Sequence, residues 1–237
     1  MPDHTYALLE EIFDDLSHPL LASCERWMRS SARFQRFVVV ERSKIRKKVR
    51  NARDTASWMD LEAELLQAYQ LVQHRHCSLV YEPYNASKQR GPDFAVTYRG
   101  TLIYLEVTRI RADPAGDPEQ HTVRLMTIVC GKLGQFRDRA INVLSISTPS
   151  SLYQMSDLDA AMRQLRHRAE QGEQAWFARH GWESTRVFLR QYPYLSGLLI
   201  QTPDVPPLLW RNPAARIPIP APISTMLQTR ADQTLLT

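Results

Sequence analysis

The chain has no long apolar run and no cationic leader, although 43% of its 237 residues are hydrophobic. A membrane-spanning helix needs about 18 or more consecutive apolar residues, and no stretch approaches that length. The first residues carry the acids Glu10, Glu11, Asp14 and Asp15, unlike a secretory signal. We therefore expect a soluble globular protein with a cytoplasmic location and no membrane partner.

Cysteine is scarce, and its spacing excludes two kinds of structural crosslink. The three cysteines, Cys24, Cys77 and Cys130, are far apart, odd in number and free of any CxxC pair. This pattern favours neither a disulfide framework nor a structural zinc site. His74 and His76 are potential zinc ligands beside Cys77, but no second ligand cluster with suitable spacing follows. We interpret the cysteines as buried free thiols.

Two familiar catalytic signatures are also missing. Gly131-Lys132 lacks the upstream glycine of a phosphate-binding loop, so no nucleotide is implied. The serines between Ser145 and Ser151 lack the flanking glycines that mark a hydrolase nucleophile elbow. No segment repeats another. The sequence therefore does not predict a nucleoside triphosphatase, a serine hydrolase or a repeat protein.

Basic residues are concentrated in one segment, although the net charge is only +5. Eleven Lys or Arg residues and a single acid, Glu41, lie between Arg26 and Arg53. Within residues 43–53 the apolar positions follow the i, i+4, i+7 spacing of one helical face, and cations occupy the other faces. This pattern predicts a surface that binds nucleic-acid phosphates. The predicted contacts are Lys44, Arg46, Lys47, Lys48, Arg50 and Arg53.

Two other interpretations of the basic helix stay open. It could be a solvated amphipathic helix that docks through its apolar stripe. The helical N-terminal region could also mediate oligomerisation, for instance as a homodimer, with a charge that only aids solubility. DNA affinity that does not fall as salt rises would favour the oligomerisation interpretation over phosphate binding.

Hydrophobic periodicity predicts alternating helices and strands in three regions. Residues 1–54 form a helical, basic extension, residues 55–202 form an α/β core with helical additions, and residues 203–237 form an extended Pro-rich tail packed on the core. Seven of the fifteen prolines lie between Pro203 and Pro222. The predicted helices cover 55–74, with Thr55 or Ser57 as N-cap, about 121–138, 157–171 and 175–192. The predicted strands, besides a hairpin, cover 77–82, 141–146 and 196–201, and a loop covers 83–91. The nearly continuous apolar run of 141–146 suits a buried, central strand.

The hairpin brings two carboxylates together. If Arg99-Gly100 is a two-residue turn, paired residues have numbers that sum to 199, and Asp93 lies opposite Glu106. Opposed residues of an antiparallel pair have Cβ atoms about 4.5–5.5 Å apart, so two negative charges there repel. The pair therefore indicates a divalent cation between the two acids.

Strand alternation separates the residues around Glu106 into two sets. Ile103, Leu105 and Val107 share one face, which we expect to meet the core. Glu106 and Thr108 share the other face and project together toward the edge of the candidate site. Tyr81 or Glu82, at the end of the first predicted strand, could line the same cleft, although packing explains the tyrosine as well.

Pro92-Asp93 and Glu106-Val107-Thr108, placed on a hairpin between helix-strand units, resemble the PD-(D/E)XK nuclease superfamily over about residues 55–150. The resemblance implies an α/β fold with a restriction-endonuclease-like αβββαβ core. Its mixed sheet would be flanked by helices, with a helical N-terminal extension and a Pro-rich C-terminal tail. It also implies Mg²⁺, with Mn²⁺ as an alternative, bound by Asp93, Glu106 and the Val107 carbonyl. Glu64 resembles the family's accessory ligand on the first core helix, and we prefer it to Glu62 because it lies closer to the buried stripe of that helix.

Thr108 departs from the family pattern, which usually has lysine there to offset charge in the transition state. Lys132, on the next predicted helix, resembles the relocated lysine of some family members. Gln135, three residues on and thus on the same helical face, could position water or a phosphate oxygen. The predicted function is a metal-dependent nuclease, an endonuclease acting on DNA. The alternative is an inactive nuclease-like scaffold that binds nucleic acid or a protein partner.

Overall fold

A six-stranded mixed sheet with helices on both faces organises the chain. The computed structural model describes residues 4–84, 91–111, 118–149, 153–203 and 205–230. The helices are α1 (His4–Ile12), α2 (Leu21–Ser30), α3 (Ala32–Asn51), α4 (Thr55–Val72), α5 (Pro118–Lys132), α6 (Met155–Glu170), α7 (Gln174–Arg179), α8 (Thr185–Gln191) and α9 (Ala221–Gln228). The strands are β1 (Cys77–Tyr81), β2 (Phe94–Tyr98), β3 (Thr101–Arg109), β4 (Ile141–Ser147), β5 (Gly197–Gln201) and β6 (Leu208–Arg211). No helix in the described ranges is long and apolar enough to cross a membrane.

The strands lie in the sheet in the order of the chain. β1, β2 and β3 form an antiparallel meander, β4 and β5 run parallel to β3, and β6 is antiparallel to β5. β4 is buried along nearly its whole length between two parallel neighbours, which confirms the central strand predicted from its apolar run. The α/β class with a mixed, helix-flanked sheet is thus confirmed.

The β2–β3 hairpin has the predicted register. Phe94 pairs with Leu105 and Tyr98 with Thr101, so the paired numbers sum to 199. Arg99 and Gly100 have φ angles of 48° and 81°, and positive φ at both central residues is typical of the type I′ turn that joins two twisted strands. The two-residue turn, and with it the alignment of the strand ends, is confirmed.

The two sheet faces are covered by different helices. Ile103, Leu105 and Val107 pack in one core with α1–α4 and α9, as the strand alternation predicted. Leu144 and Ile146 of β4 pack in a second core with α5–α8. The N-terminal helices therefore share a continuous core with α4 and the sheet. The end of β3 lies where groups from both layers can meet.

Three predicted segments differ from the structure in detail. Asp54, not Thr55 or Ser57, caps α4, because its carboxylate accepts from the Ser57 N–H at 2.7 Å. The segment predicted as a helix over 175–192 is divided at Gly181, whose φ of 82° ends the helical path. The helix predicted over 121–138 ends at Lys132 and continues as one 3-10 turn, Leu133–Gln135.

The Pro-rich tail contains regular structure that its composition concealed. β6 forms the edge of the sheet, where a strand tolerates nearby proline, and α9 begins after Pro220 with Pro222 in its first turn. Proline is compatible with the first turn because its missing N–H would have no helical partner there. Ile223, Met226 and Leu227 of α9 are buried. The last part of the predicted tail, 231–237, lies outside the described residues, as does most of the loop predicted over 83–91.

Candidate active site

Three acids line up across the first three strands, immediately after β1, immediately before β2 and within the second half of β3. The strand registers, continued by one residue, align Glu82 with Asp93 and Asp93 with Glu106. The Glu82 N–H donates to the Asp93 carbonyl at 2.7 Å, and the Val107 N–H donates to Asp93 Oδ2 at 2.8 Å. These backbone bonds fix the aspartate against the neighbouring strands. The predicted juxtaposition of Asp93 and Glu106 is present at the sheet end.

Helix α5 brings the predicted substitute lysine to Glu106. Lys132 Nζ lies 2.6 Å from Glu106 Oε1, and only 2% of Glu106 is exposed. In the amide orientation that satisfies both of its polar atoms, Gln135 Nε2 donates to Glu106 Oε1 and to the Gly91 carbonyl, each at 3.2 Å. Gly91 is required there, because a Cβ atom would lie 2.5 Å from the Tyr84 ring. Both predicted helical residues therefore contact the predicted acid.

Thr108 and Val107 lie where strand alternation predicted. Thr108 is half-buried and follows Glu106 on the same face of β3, whereas the Val107 side chain is part of the core. Threonine supplies a hydroxyl but no charge. The ammonium bonded to Glu106 comes instead from Lys132, which approaches from the helix on the second sheet face.

Helix α4 contributes Glu64 from the first sheet face. Its carboxylate accepts from the Tyr81 hydroxyl and is paired with Lys48, whose Nζ lies 2.5 Å from Glu64 Oε2. The alternative glutamate of this helix, Glu62, accepts from Ser23 Oγ at 2.8 Å, outside this cluster. Of the two glutamates, Glu64, the predicted one, is therefore the one that lies beside Lys48 and Tyr81.

Helix α3 adds a cation that the sequence did not assign to this site. Lys48 Nζ lies 3.3 Å from Glu82 Oε1 and 3.8 Å from Asp93 Oδ1, besides its bond to Glu64. The same ammonium is 4.9 Å from the centroid of the Tyr81 ring, within cation–π range. Lys48 thus joins acids from a helix and two strands.

Burial raises the proton affinity of the clustered acids. Desolvation, assisted by the charge of Glu106, raises the pKa of Asp93 to about 7. Desolvation, assisted by the charge of Asp93, raises the pKa of Glu64 to about 7 as well. The pKa of Glu106 is also raised by burial, against the opposing effect of Lys132. Burial alone would lower the pKa of Lys48, but Glu64 and Asp93 outweigh it and raise that pKa.

The described ion pairs place four carboxylates around two ammonium groups. Glu64, Glu82, Asp93 and Glu106 supply the carboxylates, and Lys48 and Lys132 supply the ammonium groups. Because the pKa values of Glu64 and Asp93 are about 7, the cluster gains negative charge as pH rises through neutrality.

The donors suit a hard cation, although the lysines now hold them. Carboxylate oxygens are the ligands that Mg²⁺ prefers. Within the described ranges, no group of three or more His, Cys, Asp and Glu side chains is spaced as a formed metal site. The oxygens of Glu64 and Asp93 converge on Lys48 instead.

The inner side of α3 explains why sequence analysis misplaced Lys48 among surface cations. Phe34, Phe37, Glu41, Lys44 and Lys48 follow one another at spacings of three and four residues, so they lie on one helical stripe. The stripe changes from aromatic to charged as it approaches the sheet end. Lys44 pairs with Glu41 at 2.9 Å and donates to the Tyr81 carbonyl. This continuation of an apolar stripe was the signal available in the sequence.

The remaining predicted phosphate contacts lie on the outer side of α3 or just beyond its end. Arg46 and Arg50 pair with Asp14 at 3.1 and 2.6 Å, and Lys47 and Arg53 are exposed. Arg42, on the same outer side, pairs with Glu11 at 3.2 Å. A shallow cavity of about 320 Å³ lies among these side chains. We call Arg42, Arg46, Lys47 and Arg50 the outer basic surface.

Comparison with known proteins adds no relative to these observations. The chain matches no protein-family model, no curated protein and no solved structure. Any function must therefore be inferred from the residues themselves, and the acids at the sheet end, with their two lysines, are the group of side chains that offers a specific chemistry.

Proposed function

We propose that this protein is a metal-dependent nuclease that hydrolyses phosphodiester bonds, with DNA as its substrate. The observation that carries the proposal is the convergence of Glu64, Asp93 and Glu106, three largely buried carboxylates from different elements, at one end of the sheet. Carboxylates that are close together and removed from water repel one another, so such a cluster favours the binding of a divalent cation.

The order and directions of the elements support a restriction-endonuclease-like core. α4, the antiparallel strands β1–β3, α5 and the parallel strand β4 follow one another in the αβββαβ order that the resemblance implies. The acids occupy the positions expected of Pro92-Asp93 and of Glu106 in that order. The lysine expected at Thr108 is replaced by Lys132, which reaches Glu106 from α5.

In the proposed reaction each side chain has a distinct role. Asp93 and Glu106, with Glu64 and the Val107 carbonyl, would hold Mg²⁺, which when bound polarises the scissile phosphate and lowers the pKa of a coordinated water. The Lys132 ammonium offsets the negative charge that develops on the phosphate oxygens. The Gln135 amide orients a water through its carbonyl oxygen, since its N–H groups contact Glu106 and the Gly91 carbonyl.

The outer basic surface supports an anionic substrate. Lys47 and Arg50 are exposed, and phosphate groups could replace the acids that Arg42, Arg46 and Arg50 now contact. Contacts of this kind follow the backbone of a nucleic acid without distinguishing its bases. Binding should therefore weaken as the salt concentration rises.

Cleavage assays with isosteric variants test the proposal. Supercoiled plasmid and labelled single strands are incubated with Mg²⁺, with Mn²⁺ or with chelator. We expect metal-dependent cleavage that Asp93→Asn and Glu106→Gln each reduce by at least about 10³-fold, because both remove a metal ligand. Glu170→Gln, which removes an exposed acid paired with Arg166 on α6, is the matched control and should cleave normally. Undiminished cleavage by both site variants would disprove the role of these acids.

Thr108 favours a second candidate, a nuclease-like scaffold that binds nucleic acid without cutting it. The usual strand lysine is absent, and both lysines of the cluster already have carboxylate partners. Fluorescence anisotropy with the same DNA separates the two candidates. Salt-sensitive binding with no cleavage in either metal would support the scaffold.

A further inference from the structure

Lys48 holds a central position among the acids. Its ammonium contacts Glu64 at 2.5 Å and Glu82 at 3.3 Å, and it lies 3.8 Å from Asp93. It also faces the Tyr81 ring, so it is enclosed by an aromatic face and three carboxylates. One ammonium therefore meets three carboxylates, from α4, from the residue after β1 and from the residue before β2.

The oxygens around Lys48 are largely those that a metal ion would use. Glu64 and Asp93 are candidate ligands, and Asp93 Oδ2 is already bonded to the Val107 N–H, so Oδ1, the oxygen near Lys48, is the one left for a cation. An ammonium and a hard dication both bind carboxylate oxygen, and they repel each other when they share it. Lys48 and a metal therefore compete for the same donors.

We propose that Lys48 is a built-in counter-ion of the metal-free site, and that a divalent metal binds by displacing its ammonium from Glu64 and Asp93. This inference rests on the proposed metal site. Lys48 has a flexible four-carbon side chain, and Glu82 offers it a partner at the rim, since Glu82 is more exposed than Glu64. The lysine can therefore leave the two acids and keep an ion pair.

Competition makes metal binding weaker than the acids alone would allow. The charge of Lys48 stabilises the cluster before metal arrives, and part of that stabilisation is lost when metal binds. Removal of the charge should therefore strengthen metal binding. A residue that merely positioned Glu64 for the metal would show the opposite effect, because its loss would weaken binding.

Mn²⁺ binding to the full chain provides the first test, with isothermal titration calorimetry in the absence of nucleic acid. We expect Lys48→Met to bind Mn²⁺ at least tenfold more tightly than the wild type. Lys48→Arg keeps the charge and should stay within about threefold of the wild type. Lys47→Met is the matched control, since Lys47 is the adjacent, exposed lysine, and it should not change the affinity.

A second test needs no variant and so does not depend on how Lys48→Met folds. The wild type is treated briefly with an amine-acylating reagent in chelator or in saturating Mn²⁺, and modification is followed by peptide mass spectrometry. We expect the acylation of Lys48 to be at least threefold faster in saturating Mn²⁺ than in chelator, because its ammonium leaves the two acids that shield it and moves to the rim. The rate at Lys47 should be unchanged.

The outcomes separate this inference from the proposed function. If the wild type and Lys48→Met bind Mn²⁺ equally, or if Lys48 reactivity does not respond to bound Mn²⁺, the displacement of Lys48 is wrong while the metal site stands. If neither protein binds Mn²⁺, the metal site and this inference both fail. If only Lys48→Met binds, the competition is supported in its strongest form.

Discussion

Helix α3 carries ion pairs on two sides that differ in exposure and in their effect on acids. On the inner side Lys48 pairs with Glu64, whose pKa burial raises to about 7 despite the nearby ammonium. On the outer side Arg50 and Arg46 bond to the exposed Asp14 and lower its pKa to about 2. The cations lower the carboxyl pKa on both sides, but only on the outer side does their effect exceed that of burial.

The difference comes from solvent and from the number of acids. Asp14 keeps its hydration and has two guanidinium donors, so its charged form is favoured. Glu64 loses its hydration and shares one ammonium with Glu82 and Asp93. The outer ion pairs therefore keep Asp14 charged, whereas burial in the inner cluster raises the proton affinity of Glu64. In the proposed function, the inner cluster is where a divalent cation binds.

The largest effect is expected when a cation of the inner cluster is removed. Lys132→Met should reduce metal-dependent cleavage by about 100-fold or more, because the site loses the charge that offsets the developing phosphate charge. The loss should appear in kcat, measured with saturating Mg²⁺ on labelled DNA.

Arg50→Met removes a cation from the outer side and is the matched variant. It should leave kcat unchanged and affect only the binding of DNA, since Arg50 pairs with Asp14 outside the acid cluster. If Lys132→Met kept its full kcat, the cation beside Glu106 would have no catalytic part, and the lysine missing at Thr108 would have no substitute on α5.

A smaller effect is expected in the pH dependence of stability. The folded pKa of Glu64, about 7, exceeds the ordinary glutamate pKa of 4.5, so between these pH values the folded protein binds more protons than the unfolded chain. The stabilising contribution of Glu64 is therefore fully present below pH 4.5 and is lost as pH rises toward 7. The variant Glu64→Gln, studied in chelator, should not show this loss of stability.

Thermal unfolding of the wild type and Glu64→Gln from pH 5 to pH 8 measures the effect. We expect the melting temperature of the variant minus that of the wild type to increase by about 3 °C or more from pH 5 to pH 8. Use of the difference removes the opposite contributions of His18 and His74, whose pKa values burial lowers. A constant difference would show that Glu64 is charged throughout.

The smallest effect on stability is expected at Asp14. Asp14→Asn breaks exposed ion pairs, which contribute little, so the melting temperature should change by no more than about 1 °C. The same variant releases Arg46 and Arg50 and should increase DNA affinity a few-fold in low salt, with a steeper salt dependence. Anisotropy titrations of a labelled duplex at several salt concentrations measure this. Unchanged affinity and slope would exclude the outer basic surface from binding.

Local sequence patterns predicted much of the fold. The type I′ turn at Arg99-Gly100 needs only two residues with positive φ, so the register of β2 and β3 followed from four neighbouring positions. The apolar run of β4 marked a strand covered on both faces. β6 and α9 were not predicted, because their proline-rich sequence carries no clear periodicity and their position depends on packing against β5 and the core.

The candidate site was predictable to different degrees. The juxtaposition of Asp93 and Glu106 followed from strand pairing, and Lys132 and Gln135 shared a helical face by spacing alone. The prediction of Glu64 depended on how α4 is rotated about its axis, and the buried stripe of that helix restricts this rotation without fixing it. Lys48 could not be placed, because helical periodicity gives the face of a residue but not the neighbour that this face meets.

The sequence by itself determined the hairpin, the pairing of its two acids, the central strand and the concentration of basic residues on α3. These features depend on neighbours in the chain, whose geometry the backbone fixes. Only the tertiary structure decided which cations meet the acids: Lys48 from α3 and Lys132 from α5 reach opposite sides of one cluster. It also decided which carboxylates lose water, and desolvation, rather than residue type, sets the difference between Glu64 and Asp14.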